Sequence, residues 1–286
     1  MGSRNNVLTS TQKEECVKLY LLGKSTIFLA KRYGVYSNAI RGILQRRHVK
    51  FRSLSLANRK YKINETFFDT IDTEEKAYIL GLFYADGSNN IRRYKAYIML
   101  AEQDVDILEK IRSIISPSKP LLYSKRKNNN LKHQNRYMFY IDNKHISIQL
   151  EKLGCVTNKT QSLTFPKWLN KKLYNHFLRG YFDGDGHIGI YGIRMQFSIV
   201  STESFCISIK KIANSLGVTS IILYTRFPER KNNTRNLKIT KKSEMVVFLK
   251  WLYNNATIYM NRKYFKYLEA VKLEERRAKN SKRYMG

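Results

Sequence analysis

Acidic side chains are scarce in this chain. Its 286 residues carry 22 Asp+Glu against 53 Lys+Arg, a net charge of +31. So much positive charge opposes compaction through self-repulsion, which points to a polyanionic partner. Cysteine is also sparse. Cys16, Cys155 and Cys206 are odd in number and far apart, which excludes a disulfide framework and a C-x-x-C zinc site and predicts an intracellular, reducing compartment. The beginning of the sequence lacks the pattern of a secretory signal. Long apolar runs are missing: Tyr78–Ala85 is among the strongest and falls far short of the roughly 20 residues a membrane span needs. The chain is therefore expected to have no membrane partner. Aromatics are not lacking. Twenty Tyr and 14 Phe interleave with the basic residues, unlike a solvated disordered tail. The expectation is a folded basic protein whose first candidate partner is nucleic acid.

Against this basic background, residues 177–190 read FLRGYFDGDGHIGI. Gly184-Asp185-Gly186-His187-Ile188-Gly189 fits G-x-G-x-x-G, but a dinucleotide loop needs a strand before it and a helix after it, and here the order is reversed. A calcium loop starting at Asp183 fails as well, with Ile188 where Gly is needed and Arg194 where Glu is needed. A plain Asp-Gly turn is the remaining simple reading, and an internal repeat argues against it. KAYILGLFYADG at 76–87 aligns with NHFLRGYFDGDG at 175–186, which places Asp86 against Asp185 at an offset of 99 residues. Similar patterns follow both copies. After the first come a hairpin over Ile91–Ala101, a helix carrying Ile107, Leu108, Ile111, Ile114 and Ile115, a hairpin from Leu121 to Ile141, and a helix from Ile146 to Leu153 closed by Gly154. After the second come strands over Ile188–Val200, a helix with Phe205, Ile209, Ile212 and Leu216, a hairpin over Ile221–Thr240 and a helix over Met245–Tyr253. These periods predict an α+β fold of two pseudo-symmetric αββαββα halves, residues 65–165 and 166–286.

The repeated segments are short, nearly all-round apolar helices, so they are expected to be buried. Gly81 and Ala85 share one face, as do Gly180 and Gly184, and small residues at that spacing let helix backbones approach closely. Gly87 and Gly186 are expected to form left-handed caps. Packing along those faces would bring Asp86 and Asp185 out side by side. Each would face the negative end of its helix dipole, at a cost of roughly 0.3–1 kcal/mol. A divalent cation would relieve that cost and the mutual repulsion, and Mg²⁺ suits one or two carboxylates plus phosphate and water.

The two segments resemble the paired signature helices of the LAGLIDADG homing endonucleases, single-chain class. The resemblance covers residues 65–275 and takes in Gly154-Cys155-Val156-Thr157-Asn158-Lys159-Thr160, Trp251-Leu252-Tyr253 and Arg262-Lys263-Tyr264. It implies a monomer that cleaves both strands of double-stranded DNA at a long recognition site, with intron RNA as the alternative partner of maturase relatives and non-cleaving DNA-binding regulators on the same fold. It makes Asp86 and Asp185 the catalytic metal ligands, with Gly87 and Gly186 beside them in the metal site, Mg²⁺ as cofactor and Mn²⁺ or Ca²⁺ as substitutes. The compartment is then the cytoplasm, or the organelle or nucleoid that holds the target. Two four-stranded sheets are expected to form a saddle over the major groove, whose base edges carry a readable code. Arg194, Gln196 and Ser198 alternate with Met195, Phe197 and Ile199, and Asn236, Lys238 and Thr240 with Leu237 and Ile239, which gives one polar and one apolar face. The family also carries a basic residue near the reacting centre, and Lys238 fills that role in the second half. Matching Ile141 to Ile239 puts Tyr140 at the equivalent first-half position, which predicts unequal cutting of the two strands. Asp183, which replaces Tyr84 of the first copy, is read as structural. Arg92, Arg93, Lys125, Arg126, Lys127, Arg226, Arg230, Lys231 and Arg235 are candidate DNA contacts, most of them to phosphate.

Residues 1–51 lie outside the resemblance. Helices over Thr11–Leu21, Ser25–Tyr33 and Asn38–Arg47, with a turn at Gly34-Val35-Tyr36-Ser37, read as a small all-α helix-turn-helix module. Its third helix would offer Ser37, Asn38, Arg41 and Gln45 to a major groove. Residues 52–64, RSLSLANRKYKIN, read as a basic linker. The charge balance generates a direct expectation. Duplex DNA affinity, measured by fluorescence anisotropy, falls on a log–log plot with a slope of about −0.9 per phosphate neutralised. A flat salt response contradicts a phosphate-binding interface.

Overall fold

The computed structural model describes residues 7–52, 60–125, 134–156, 161–225 and 233–283. The chain forms two compact units, Met1–Tyr61 and Lys62–Gly286. In the first, α1 (Ser10–Leu21), α2 (Thr26–Tyr33) and α3 (Ser37–Arg46) follow the expected helices closely. Local chemistry sets their ends. Thr9 and Gln12 make a reciprocal capping box, Ser25 accepts from the Phe28 N–H, and Gly34 terminates α2 at φ +64°, a conformation that favours glycine. Cys16, Tyr20, Leu29, Ile40, Ile43 and Leu44 fill the small core. Arg52, at the start of the expected linker, is part of this unit. Its guanidinium donates to the Gly23 carbonyl and lies over the Tyr20 ring.

The second unit repeats one motif. The first half runs α4 (Glu74–Ala85), β1 (Gly87–Asn90), β2 (Lys95–Ala101), α5 (Val105–Ile115), β3 (Leu122–Ser124), β4 (Arg136–Asp142) and α6 (Lys144–Lys152). The second runs α7 (Tyr174–Asp185), β5 (Gly186–Tyr191), β6 (Arg194–Thr202), α8 (Glu203–Ser215), β7 (Ile221–Tyr224), β8 (Thr234–Ile239) and α9 (Lys242–Tyr253), followed by α10 (Asn261–Arg283). Each half contributes an antiparallel sheet, ordered β1-β2-β4-β3 and β5-β6-β8-β7. The registers correspond: Gly87 pairs with Ile98 and Ile98 with Phe139, while Gly186 pairs with Ile199 and Ile199 with Leu237. One continuous apolar core runs through both halves. Ala96, Ile98, Leu100, Phe139 and Ile141 turn into it from the first sheet, and Met195, Phe197, Ile199, Leu237 and Ile239 from the second.

Two expectations are corrected. The first hairpin begins at Gly87, not Ile91. Gly87-Ser88-Asn89-Asn90 lacks strand-like residues yet pairs with β2, while Ile91–Arg93 forms a 3₁₀ turn. Cross-strand pairing overrides weak local preference there. Gly87 and Gly186 are not left-handed caps. Gly186 is extended at φ −78° and neither glycine has positive φ. Glycine is needed for space, because a Cβ at Gly87 or Gly186 would strike Phe83 or Phe182 one turn back. The left-handed terminators are Gly154 and Gly217, at φ +98° and +80°.

The signature helices α4 and α7 pack backbone to backbone. A Cβ on Gly81 would overlap the Phe177 carbonyl, and one on Gly180 would overlap the Tyr78 carbonyl. Buried polar groups fasten this pair. Arg179, fully buried, donates to the carbonyls of Leu252 (2.7 Å) and Ile258 (2.9 Å) and to Glu74 Oε1 (2.6 Å), so that a charge on α7 is neutralised from α4. The close approach makes a firm prediction. Overpacking a core typically costs about 1–3 kcal/mol. Because the opposing atoms here are backbone, Gly180→Ala should reach or exceed about 3 kcal/mol on that scale in denaturant unfolding. A loss below about 1 kcal/mol would contradict the contact.

Candidate functional site

The close helix contact sets the position of both acids. Asp86 follows α4 directly and Asp185 is the last residue of α7. At the ends of the helices, Gly184 lies against the Ala85 methyl group. Its missing Cβ would stand 2.6 Å from Asp86 Oδ2. The Asp86 carboxylate therefore rests on the residue next to Asp185 in the chain. Two clefts flank this junction, and Ala85 lines both. One, of ≈ 510 Å³, holds Asp86 with Tyr97, Met99, Gln103, Arg136 and Arg262; the other, of ≈ 200 Å³, holds Asp185 with Tyr181, Val200, Ser201 and Thr234. Asp86 is half-buried and Asp185 exposed.

The contacts of the polar groups around the acids escaped the sequence reading, which named Asp183, Arg262 and Lys263 without their partners. Tyr181 donates to Ser201 Oγ at 2.9 Å. Its phenol is pushed well above its ordinary pKa, first by burial and then by the neighbouring Asp185 charge. Asp183 is fully buried, consistent with its structural reading. It accepts from Tyr78 Oη (2.7 Å), Tyr253 Oη and the Met260 N–H (2.7 Å), joining α4, α7, α9 and the approach to α10. Tyr84, its first-half counterpart, donates to the Leu153 carbonyl at 2.5 Å. Both positions thus tie a signature helix to the segment that follows the last helix of its half. Arg262 makes a two-pronged ion pair with Asp104, both bonds 3.0 Å. Lys263, 3 % exposed, donates to the carbonyls of Phe182 and Gly186. It places positive charge at the negative end of α7, where the helix dipole favours a cation. Burial lowers its pKa to about 8, against the opposing pull of Asp183, Asp104 and Asp86.

The donor set suits a hard cation. One carboxylate from each half stands at the ends of the paired helices, each in its own cleft, and Mg²⁺ takes one or two carboxylates together with phosphate and water. Among the described residues there is no group of three His, Cys, Asp or Glu able to form an all-protein cage, and the three cysteines are buried. The Gly186 carbonyl, expected beside the metal, instead accepts from Lys263. Gly87 opens β1 against Ile98.

Lys238 lies on the sheet face opposite the core, in one cross-strand row with His187, Ser198 and Ile222, with its Nζ 5.2 Å from the centre of the Tyr224 ring. Register confirms Tyr140 as its first-half equivalent: Tyr140 pairs with Tyr97 as Lys238 pairs with Ser198. Arg194 and Gln196 are exposed on the same face as Lys238. Arg92 and Arg93 are exposed in the β1–β2 turn, and Lys125 just past β3. Arg235 turns the other way and pairs with Glu203 at 3.0 Å, because one step along a strand reverses the face. Arg126, Lys127, Arg226, Arg230 and Lys231 lie outside the described residues, as do Thr157 to Thr160. On α3, Asn38, Arg41 and Gln45 are exposed and Ser37 is half-buried; Arg41 lies over the Phe51 ring at 5.4 Å. Among the described residues no helix is long and apolar enough to cross a membrane.

Residues 172–252 match the model of the LAGLIDADG-like domain. Comparison with curated proteins gives no match. Among solved structures, the chain is similar to the LAGLIDADG homing endonuclease I-GzeII in complex with its DNA target, at a TM-score of 0.50 and 11 % identity, over 77 % of this chain and 92 % of the other. It is also similar to the homing endonuclease I-LtrWI bound to target DNA (TM-score 0.44, 12 % identity, 76 % and 92 % covered). A third similarity is to full-length DUF199/WhiA from Thermatoga maritima (0.45, 16 %, 74 % and 64 % covered). At 11 % identity the similarity to I-GzeII shows a shared fold.

Lys263 gives the site a measurable titration. Its folded pKa of about 8 lies below the ordinary lysine value of 10.5, so between those values the unfolded chain binds more protons and stability rises with pH. Relative to Lys263→Met, the native protein should gain stability in chemical unfolding as pH rises from 8 towards 10. A constant difference across that range would contradict a buried, desolvated amine.

Proposed function

We propose that this chain, which belongs to the LAGLIDADG homing endonuclease family, is a site-specific endonuclease that hydrolyses one phosphodiester bond in each strand of duplex DNA. The observation that carries this reading is the contact of the Asp86 carboxylate with Gly184, which brings one acid from each half to a single helix junction. Alternating polar positions on the second sheet support a DNA-facing surface beside it.

Asp86 and Asp185 would hold the divalent cation. When bound, Mg²⁺ supplies a Lewis acid for the phosphoryl oxygens and lowers the pKa of a coordinated water. The protein does the positioning. Tyr181, bonded to Ser201, shares the smaller cleft with Asp185. Lys263 offsets the negative helix end and holds the backbone at Gly186, where the chain turns from α7 into β5. In the second half Lys238 is the candidate charge donor to the reacting phosphate; in the first half Tyr140 stands at that position and carries no charge. Arg92, Arg93, Lys125 and Arg194 would contact phosphates or base edges. The N-terminal unit would act as a second DNA-binding module through Asn38, Arg41 and Gln45, raising affinity through effective concentration.

The test is a supercoiled plasmid carrying a site selected from a random library, incubated with Mg²⁺. The native protein should linearise it through a nicked intermediate, since only one half supplies the lysine. Asp86→Asn and Asp185→Asn should each abolish linearisation while retaining DNA binding. Tight intron RNA binding without nicking would overturn the endonuclease in favour of a maturase.

A further inference from the structure

The two sheets present different chemistry on the face away from the core. Register aligns them residue by residue. Where the second half has Ser198, Lys238 and Asn236, the first has Tyr97, Tyr140 and Met138, while Met99 corresponds to Val200, apolar in both halves. Leu122, opposite Met138, corresponds to Tyr224, opposite Asn236. Met99 pairs with Met138, so the middle of the first face is a strip of Tyr97, Met99, Leu122, Met138 and Tyr140. These side chains are half-buried or exposed, with Leu122 46 % accessible, while the alternate residues of β2 and β4 fill the core. The strip is therefore not core surplus. It begins in the cleft that contains Asp86, which Tyr97 and Met99 line. Basic residues stand at both ends, Arg136 and Lys125 at one, Lys95, Arg92 and Arg93 at the other. An apolar floor between basic ends suits a duplex groove in which phosphates bracket methyl groups.

Resting on the endonuclease reading, we propose that the first half reads its DNA half-site through thymine methyl groups, using Tyr97, Met99, Leu122 and Met138. The second half reads its own through hydrogen bonds with Arg194 and Gln196. In the major groove only thymine offers a C5 methyl, whereas Arg and the amide side chains seek purine N7 with its neighbouring O6 or N6. Thioethers adapt to irregular apolar surface, which suits a row of methyls. On the second face Arg194 and Gln196 are exposed, so their polar groups are open to base edges. The chain would thus recognise an asymmetric site, rich in T·A pairs next to the cut on the Asp86 side.

Two base analogues separate these modes. A bound duplex is first selected from a randomised library, and its half-sites are then substituted one at a time. Deoxyuridine for thymidine removes only the methyl group; in one half-site it should raise Kd about fourfold per contacted methyl, the loss expected for one buried CH₂-sized group. In the other half-site it should change Kd less than twofold. Substitution with 7-deazapurines should give the reverse pattern. Met99→Ala with Met138→Ala should remove the uracil sensitivity, which assigns that half-site to the first sheet. Arg194→Ala with Gln196→Ala should remove the 7-deazapurine sensitivity from the opposite half, and this pair decides the matter if the methionine variant fails to fold. Equal uracil sensitivity in both half-sites, selected sites without T·A enrichment on one side, or an unchanged analogue response in the variants would overturn the proposal. Failure to select any duplex would instead count against the endonuclease reading.

Discussion

Close approach of two helix backbones governs this molecule. Gly81 and Gly180 each lie against a carbonyl of the opposite helix, where no side chain fits, and Gly184 repeats the contact at the end, against Ala85 and Asp86. The geometry leaves little freedom. With the helices in contact, each chain leaves the junction at an acid and turns straight into the first strand of its sheet, β1 from Asp86 and β5 from Asp185. Carboxylates and sheets are therefore aligned by the same contact. Interiors packed this tightly transmit displacement, so widening the helix pair would move both acids and both sheets together.

Such a contact has to be held, and the protein holds it with buried polar bonds. Arg179 crosses to Glu74, and Asp183 gathers two tyrosine hydroxyls and a backbone N–H. Removing one member of such a set leaves a buried group without compensation, which is more damaging than replacing the whole set by apolar residues. The bonds also break the symmetry. Arg179 corresponds to Leu80 and Asp183 to Tyr84, so the second signature helix carries buried charges where the first has uncharged side chains. The faces away from the core show a related division: polar side chains stand beside Val200 and Ile222 in the second sheet, and aromatic or thioether side chains dominate the middle of the first. Two copies of one motif have kept a common frame and diverged in the side chains around it.

Much of this was legible in the sequence because it is local or repeated. The offset between KAYILGLFYADG and NHFLRGYFDGDG, with its small residues four apart, identified the helix pair and the acids at its end. Periodicity located most helices, and two-residue alternation in β6 and β8 separated the core face from the polar one. The misreadings have physical causes. Gly87-Ser88-Asn89-Asn90 forms a strand only because β2 lies beside it. Gly87 and Gly186 look like left-handed caps but are glycine to clear Phe83 and Phe182. Tyr181, Arg179 and Lys263 carried little local signal, since their partners lie between 20 and 105 residues away. Arg262-Lys263-Tyr264 stood out only as part of the family resemblance, and its contacts explain the pattern: the arginine anchors to Asp104 and the lysine caps the second signature helix.

The central claim is that Asp86 and Asp185 share one cation-holding junction at the DNA. Its most direct test is a crystal structure of the DNA complex soaked with Mn²⁺, read by anomalous scattering. The account predicts metal density at the helix junction, in contact with carboxylate oxygens of both Asp86 and Asp185 and with a DNA phosphate. Density confined to other sites, or either carboxylate turned away from the phosphates, would contradict it.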